Sequence, residues 1–98
     1  MKAVRPTKSR HLMATYISIK IRDSGKTQVQ ISDECGFARP NVVSMIATGR
    51  MRLPLDRLGV FAKAIDVDVY ELFCWWMREA YGQTWLELES IIARAPTR

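Results

Sequence analysis

Three glycines divide the first half of the chain into short segments, and this division limits what the chain can fold into. Gly25, Gly36 and Gly49 each follow a stretch whose apolar residues recur at the three- and four-residue spacing of a helix. Glycine ends helices readily because it adopts the left-handed backbone conformation. No segment alternates apolar and polar residues as a half-buried strand does. The sequence therefore predicts an all-α fold of short helices.

Six helical stretches are predicted, at about residues 11–23, 27–35, 39–48, 54–65, 69–81 and 84–94. Their starts carry small polar residues followed three positions later by Gln or Glu, as in a capping box. These pairs are Thr27 with Gln30, Asp68 with Glu71, and Thr84 with Glu87. Residues 1–10 are basic and lack a periodic apolar face, so they are predicted to form a flexible arm that lies along phosphates, enters a minor groove or stays a disordered tail.

Charge is distributed unevenly along the chain, whose net charge is +5. Residues 1–52 contain ten Lys or Arg and three Asp or Glu. Residues 53–98 contain five Lys or Arg and seven Asp or Glu. A basic half joined to a slightly acidic, apolar half suggests one surface for a polyanion and another for a protein. A solvated basic surface without a partner would give the same pattern.

Several function classes find no support in the sequence. Cys35 and Cys74 lack CxxC spacing and lie among apolar neighbours, so both are expected to be reduced and buried. With one histidine, no Gly-rich phosphate loop and no nucleophile–histidine pairing, we expect neither an enzyme nor a metal, cofactor or small-molecule site. No apolar run approaches the length of a membrane span and no secretory signal is seen, so a cytoplasmic protein is expected.

The segment 26–50 is the most informative part of the chain. It contains two short helical stretches joined by a turn of about four residues that includes Gly36. We expect Val42, Met45 and Ile46 to form the buried stripe of the second helix. Two short helices with such a turn form the helix-turn-helix layout, which presents its second helix to the major groove of DNA.

Residues 12–72 resemble the lambda-repressor-like family, also described as the Cro and cI type or XRE-like. The residues that carry the resemblance occur in the family's order: Thr27-Gln28, Gly36, Gly49, Arg50, Arg52, Pro54 and Ala62-Lys63-Ala64-Ile65-Asp66-Val67. The segment from Gly36 to Gly49 is one residue longer than the commonest version, and Pro40 replaces a more usual small polar residue. The resemblance implies a helix-turn-helix bundle of four to five helices over residues 11–67, with residues 68–98 as a C-terminal helical extension.

The resemblance also implies which residues contact DNA. The resemblance places Arg39, Pro40, Asn41 and Ser44 at base-reading positions, and helical geometry adds Val43, which is expected near the same exposed face. Arg can donate two hydrogen bonds to guanine and Asn can pair with adenine, while Val43 is expected to meet a thymine methyl group. Phosphate-binding positions are Lys26, Thr27, Gln28, Arg50 and Arg52. The alternative is that all of these are ordinary exposed polar residues.

The fifth predicted helix has two apolar stripes, which together present more apolar surface than the core of a single chain is expected to cover. One stripe contains Val69, Leu72, Phe73, Trp76 and Ala80, and Trp75 is expected on the polar side. We predict that the second stripe and the sixth helix form a homodimer interface, through Tyr70, Cys74, Met77, Tyr81, Trp85, Leu88 and Ile92. Alternatively, the sixth helix folds back and completes a monomeric core.

These observations predict a sequence-specific regulator of transcription that binds double-stranded DNA, most simply a repressor acting as a homodimer on a palindromic operator. The alternative is an antitoxin-like or other protein-interaction module with a DNA-binding fold, whose apolar C-terminal helices bind another protein.

Overall fold

A computed structural model describes residues 7–94, and this part of the chain contains only helices. The all-α prediction is confirmed for these residues. The helices are α1 (Thr7–Ser24), α2 (Gln28–Cys35), α3 (Asn41–Ala47), α4 (Leu58–Ala64), α5 (Val69–Tyr81) and α6 (Gln83–Ala93), with a 3-10 helix at Leu55–Arg57 before α4.

The first helix begins earlier than predicted. Residues 7–10 belong to α1, so the predicted arm of residues 1–10 is wrong over its last four positions. Those four residues contain neither glycine nor proline, and the helix of the following apolar segment continues through them. The remainder of the predicted arm, residues 1–6, lies outside the described residues.

Two of the three predicted N-terminal caps are confirmed. The Thr27 hydroxyl accepts from the Gln30 amide, and the Gln30 side chain accepts from the Thr27 amide, which completes a capping box. The Asp68 carboxylate accepts from the amide of Glu71 at 3.0 Å. The third cap is wrong, because α6 begins one residue before Thr84 and its preceding residue, Gly82, reverses the chain with φ +49°.

The core lies where α1 packs against α3 and α5, and where α2 packs against α3 and α4. Its fully buried side chains come from α1 to α5, from the loop after α3 and from the residue that follows α4: Ile17, Ile31, Val43, Leu53, Phe61, Ile65 and Leu72. The last helix, α6, packs mainly against α5 and contributes a single buried residue, Trp85. The Trp85 ring meets the Phe73 ring edge-on, with 5.5 Å between the ring centroids.

The predicted state of the two cysteines is confirmed, since Cys35 and Cys74 are both free and buried. Burial, with a smaller contribution from the Glu34 carboxylate, raises the pKa of the Cys35 thiol and keeps it protonated. In the described range, no helix combines the length and apolar character that crossing a membrane requires. Within the same range, His, Cys, Asp and Glu side chains form no group of three that could hold a metal ion.

Candidate nucleic-acid interface

The connection between α2 and α3 has a defined geometry that begins at Gly36. This glycine has φ +73°, the left-handed conformation that lets the chain leave the helix. The Gly36 amide donates to the Asp33 carbonyl at 3.2 Å, and the Phe37 amide donates to the Ser32 carbonyl at 3.0 Å. The end of α2 is therefore closed by backbone hydrogen bonds, and the direction in which the chain enters the turn is fixed.

Two serine side chains fix the ends of α3. Ser32 is 2% exposed, and its hydroxyl donates to the Arg39 carbonyl at 3.2 Å, just before α3 begins. At the other end, the Ser18 hydroxyl on α1 donates to the Ala47 carbonyl at 2.8 Å. The position of α3 is thus set by α2 at its start and by α1 at its end.

Burial of Val43 and Ile46 determines which face of α3 points outward. At 100° per residue, Asn41, Ser44 and Met45 lie on the side away from these two residues. Asn41 is exposed, whereas Ser44 and Met45 are half-buried. The outward face is therefore short, polar at two positions and apolar at the third.

The prediction that Val43 reads a base is wrong. Its side chain has 0% exposure and packs in the core, so it cannot reach a ligand. The predicted buried stripe included Met45, but the helix is rotated so that Val43 faces inward instead. Four apolar side chains, Val42, Val43, Met45 and Ile46, lie within seven residues, and their spacing allows both rotations.

Met45 is the outward-facing residue that sequence reasoning missed. The Asn41 side-chain amide lies 3.8 Å from the Met45 sulfur, one helical turn along α3. The signal for this pair was present, because Asn41 and Met45 stand four residues apart. A thioether on this face gives Asn41 an apolar neighbour.

Several other predicted DNA-contacting residues are exposed. Arg39 and Pro40 precede α3, Thr27 and Gln28 open α2, and Arg50 follows α3. Within residues 12–94, neither arginine forms an ion pair. Pro40 directly precedes the first residue of α3, with φ −66°.

Lys26 is held by the protein itself. Its ammonium group donates to the Glu34 carboxylate and to the Ala64 carbonyl, each at 2.8 Å. These bonds connect the segment before α2 with the end of α2 and the end of α4. The predicted contact between Lys26 and a phosphate would compete with both.

Arg52 is also engaged within the protein. Its Nε lies 3.9 Å from a Glu79 carboxylate oxygen, and its guanidinium lies over the Trp76 ring, 5.8 Å from the centroid. The Trp76 indole N–H donates to the Leu53 carbonyl at 2.6 Å. The residues after α3 are therefore attached to α5.

The predicted dimer residues divide into two groups. Tyr70, Tyr81, Leu88 and Ile92 are exposed, and Met77 is half-buried. The other two are corrections: Cys74 and Trp85 are 9% and 2% exposed, and the Trp85 ring packs edge-on against Phe73 of α5. Both side chains belong to the interior of one chain and are unavailable to a second.

Trp75 does not lie on a polar side, as predicted, but against α1. Its ring stacks on the Tyr16 ring with 5.1 Å between centroids and 25° between planes. The Tyr16 hydroxyl is buried near the Glu71 carboxylate. Its burial, together with the nearby Glu71 and Asp68 carboxylates, raises the pKa of Tyr16 to about 12.

A search of protein-family models, curated proteins and solved structures found no match to this chain.

Proposed function

We propose that the protein is a sequence-specific regulator of transcription that binds double-stranded DNA through a lambda-repressor-like helix-turn-helix formed by α2 and α3. One observation carries this proposal. The outward face of α3 presents Asn41 and Ser44, with Arg39 two residues before Asn41, and serines of α2 and α1 hydrogen-bond the backbone just before α3 and at its last residue. A short helix held in this way can enter a major groove without losing further backbone freedom.

The side chains on this face are suited to reading bases. Arg39 can donate two hydrogen bonds to O6 and N7 of guanine, and Asn41 can form a paired contact with adenine. Ser44 can donate or accept, and Met45 offers an apolar surface to a thymine methyl group. The proposed readout therefore uses three polar residues and one thioether within seven positions of the chain.

The flanking residues supply contacts to phosphates, which position the protein without reading sequence. The exposed Arg50 is available at the end of α3, and Thr27 and Gln28 are exposed at the start of α2. The excess of basic residues in the first half of the chain favours approach of this surface to a polyanion.

We propose further that the protein acts as a homodimer, most simply as a repressor that occupies a palindromic operator. Leu88, Ile91 and Ile92 share an exposed apolar face of α6, and Tyr81 is exposed at the end of α5. Exposed apolar surface of this kind favours association. It also supports the second candidate, an antitoxin-like module in which a different protein binds this face.

The test is selection of bound duplexes from a random DNA library by the purified protein at near-physiological salt. We expect a motif with two-fold symmetry, because a symmetric dimer reads two copies of one half-site. Replacing Arg39 or Asn41 with Ala should weaken binding to the selected duplex by roughly 5- to 150-fold, which corresponds to the loss of one paired base contact.

Arg94→Ala is the matched control, since it also removes one exposed arginine but lies at the end of α6. It should leave the selected motif unchanged. Absence of any motif, with only weak salt-sensitive binding, contradicts sequence-specific DNA recognition and favours the protein-interaction module.

A further inference from the structure

Contacts with α5 hold the basic loop, residues 50–54, from one side. The Trp76 indole N–H donates to the Leu53 carbonyl at 2.6 Å, and Leu53 itself is fully buried. The Arg52 guanidinium covers the Trp76 ring and points its Nε at Glu79. Two consecutive residues of the loop are thus attached to two residues of α5 that lie three positions apart, on one face of that helix.

The environment of Glu79 strengthens this attachment. Its side chain is only 4% exposed, whereas that of Arg52 is 40% exposed. A buried carboxylate attracts a cation more strongly than one in water, because the surrounding protein screens charge weakly. Moving Arg52 away would break its contact with the Glu79 carboxylate and would uncover the Trp76 ring.

The same loop is attached to α3 at its other end. The amides of Arg50 and Met51 both donate to the Met45 carbonyl, at 2.9 and 3.2 Å. Arg50 stands next to this anchor, with its side chain exposed. The two arginines of the loop therefore differ: Arg50 extends from the end of α3, and Arg52 is held on α5.

We propose that Trp76 and Glu79 are positioning residues for the basic loop: they retain Arg52 on α5 and leave Arg50 as the loop arginine that contacts a DNA phosphate. This inference rests on the proposed function. It replaces the expectation that both arginines bind phosphates. It also assigns α5 a part in DNA binding, because the contacts of Trp76 and Glu79 limit how many phosphates the loop can neutralise.

The experiment measures how affinity for the selected duplex depends on salt concentration. Each neutralised phosphate contributes about −0.9 to the slope of log K against log salt. Arg50→Ala should make the slope shallower by about 0.9, whereas Arg52→Ala should leave it unchanged. Glu79→Gln should release Arg52 toward the DNA and make the slope steeper by about 0.9.

Two further variants separate release of Arg52 from a simple change of charge. Glu87→Gln removes one exposed acidic charge on α6 and should leave the slope as it is. The double variant Glu79→Gln/Arg52→Ala should return to the slope of the original protein, because the released arginine is then absent. Thermal unfolding by circular dichroism checks that each variant is folded.

The salt dependence of Arg52→Ala tests the positioning role even if Glu79→Gln does not fold. A slope shallower by about 0.9 in Arg52→Ala means that Arg52 already contacts a phosphate, which overturns the positioning role and leaves the proposed function intact. If neither Arg39→Ala nor Arg50→Ala changes the affinity for DNA, the proposed function is wrong, and the positioning role, which depends on it, is wrong as well.

Discussion

Two glycines show that the same residue type is required at one position and dispensable at another. Gly36 has φ +73° in the turn after α2, whereas Gly59 lies inside α4 in an ordinary helical conformation. A Cβ atom added at either position meets no atom within 4 Å. Any effect of adding that atom therefore arises from the backbone and not from a clash.

Gly36→Ala should lower the free energy of unfolding by about 1–2 kcal/mol, the cost of the left-handed conformation for a residue with a Cβ atom. Gly36→Asn should cost less, because Asn tolerates this conformation better. Denaturation with urea, followed by circular dichroism, measures both.

Gly59→Ala is the matched variant, and its expected effect on the free energy of unfolding has the opposite sign. It should raise the free energy of unfolding by about 0.5–1 kcal/mol, because Ala loses less backbone entropy than Gly when a helix forms. Equal effects at the two positions would mean that the turn after α2 does not hold Gly36 in the left-handed conformation.

Helix α5 connects several other helices. It packs against α1, α4 and α6, and it also holds the basic loop. Its Trp75 stacks on α1 and its Trp76 bonds to the loop, although the two residues are adjacent in sequence. Adjacent helical positions point about 100° apart, so neighbouring tryptophans reach different partners.

The contact between α1 and α5 predicts a loss of stability at high pH. The pKa of Tyr16 is raised to about 12 in the folded protein, so the fold favours the neutral phenol. Its contribution is fully present below the unfolded pKa of about 10 and is lost as pH rises toward 12. The thermal stability of the original protein relative to Tyr16→Phe should therefore decrease between pH 9 and pH 11.

Thermal unfolding of both proteins at the two pH values measures this difference and cancels the titration of lysines, which both proteins share. At pH 7 the ring is uncharged in both proteins, so the difference between them at high pH reports the ionisation of the phenol. An equal loss in both proteins at pH 11 would contradict a buried phenol at this contact.

Local signals predicted the elements better than the way they pack. The bounds of α5 and the caps at Thr27 and Asp68 were predicted correctly, because a cap depends on residues three positions apart. The rotation of α3 was not, since its apolar residues permit two rotations and only the packing of α1 and α2 selects one. Val43 was therefore assigned to the wrong face, and the engagement of Arg52 by α5 has no signal in the local sequence.

For the whole molecule, the uneven distribution of charge and apolar residues along the chain corresponds to two different surfaces. The surface around α3 carries the exposed Arg39 and Arg50, whereas α6 exposes Leu86, Leu88, Ile91 and Ile92. Only one side of α6, the side that carries Trp85, is buried within the monomer. Both alternatives for the C-terminal helices thus have structural support: α6 covers α5 and still presents an apolar face.

Ile92→Glu should dissociate the proposed homodimer, because it places a charge in an apolar contact. Leu86→Glu is the control: it introduces the same charge on α6 at a similarly exposed leucine, about 120° around the helix. Molar mass by light scattering should fall to that of one chain, 11.3 kDa, for Ile92→Glu alone. A single-chain mass for the original protein contradicts the homodimer.

The small buried surface of α6, whose one buried residue is Trp85, links the stability of this helix to protein concentration. A helix with a single buried residue can detach while the core of α1 to α5 stays folded. In the proposed homodimer, a second chain binds only the attached form, and mass action then stabilises α6 as the concentration of protein rises. Dilution would therefore detach α6 and dissociate the dimer together. The fraction of a palindrome that is bound would then fall steeply with protein concentration, whereas the folding of the DNA-binding surface would depend on concentration less.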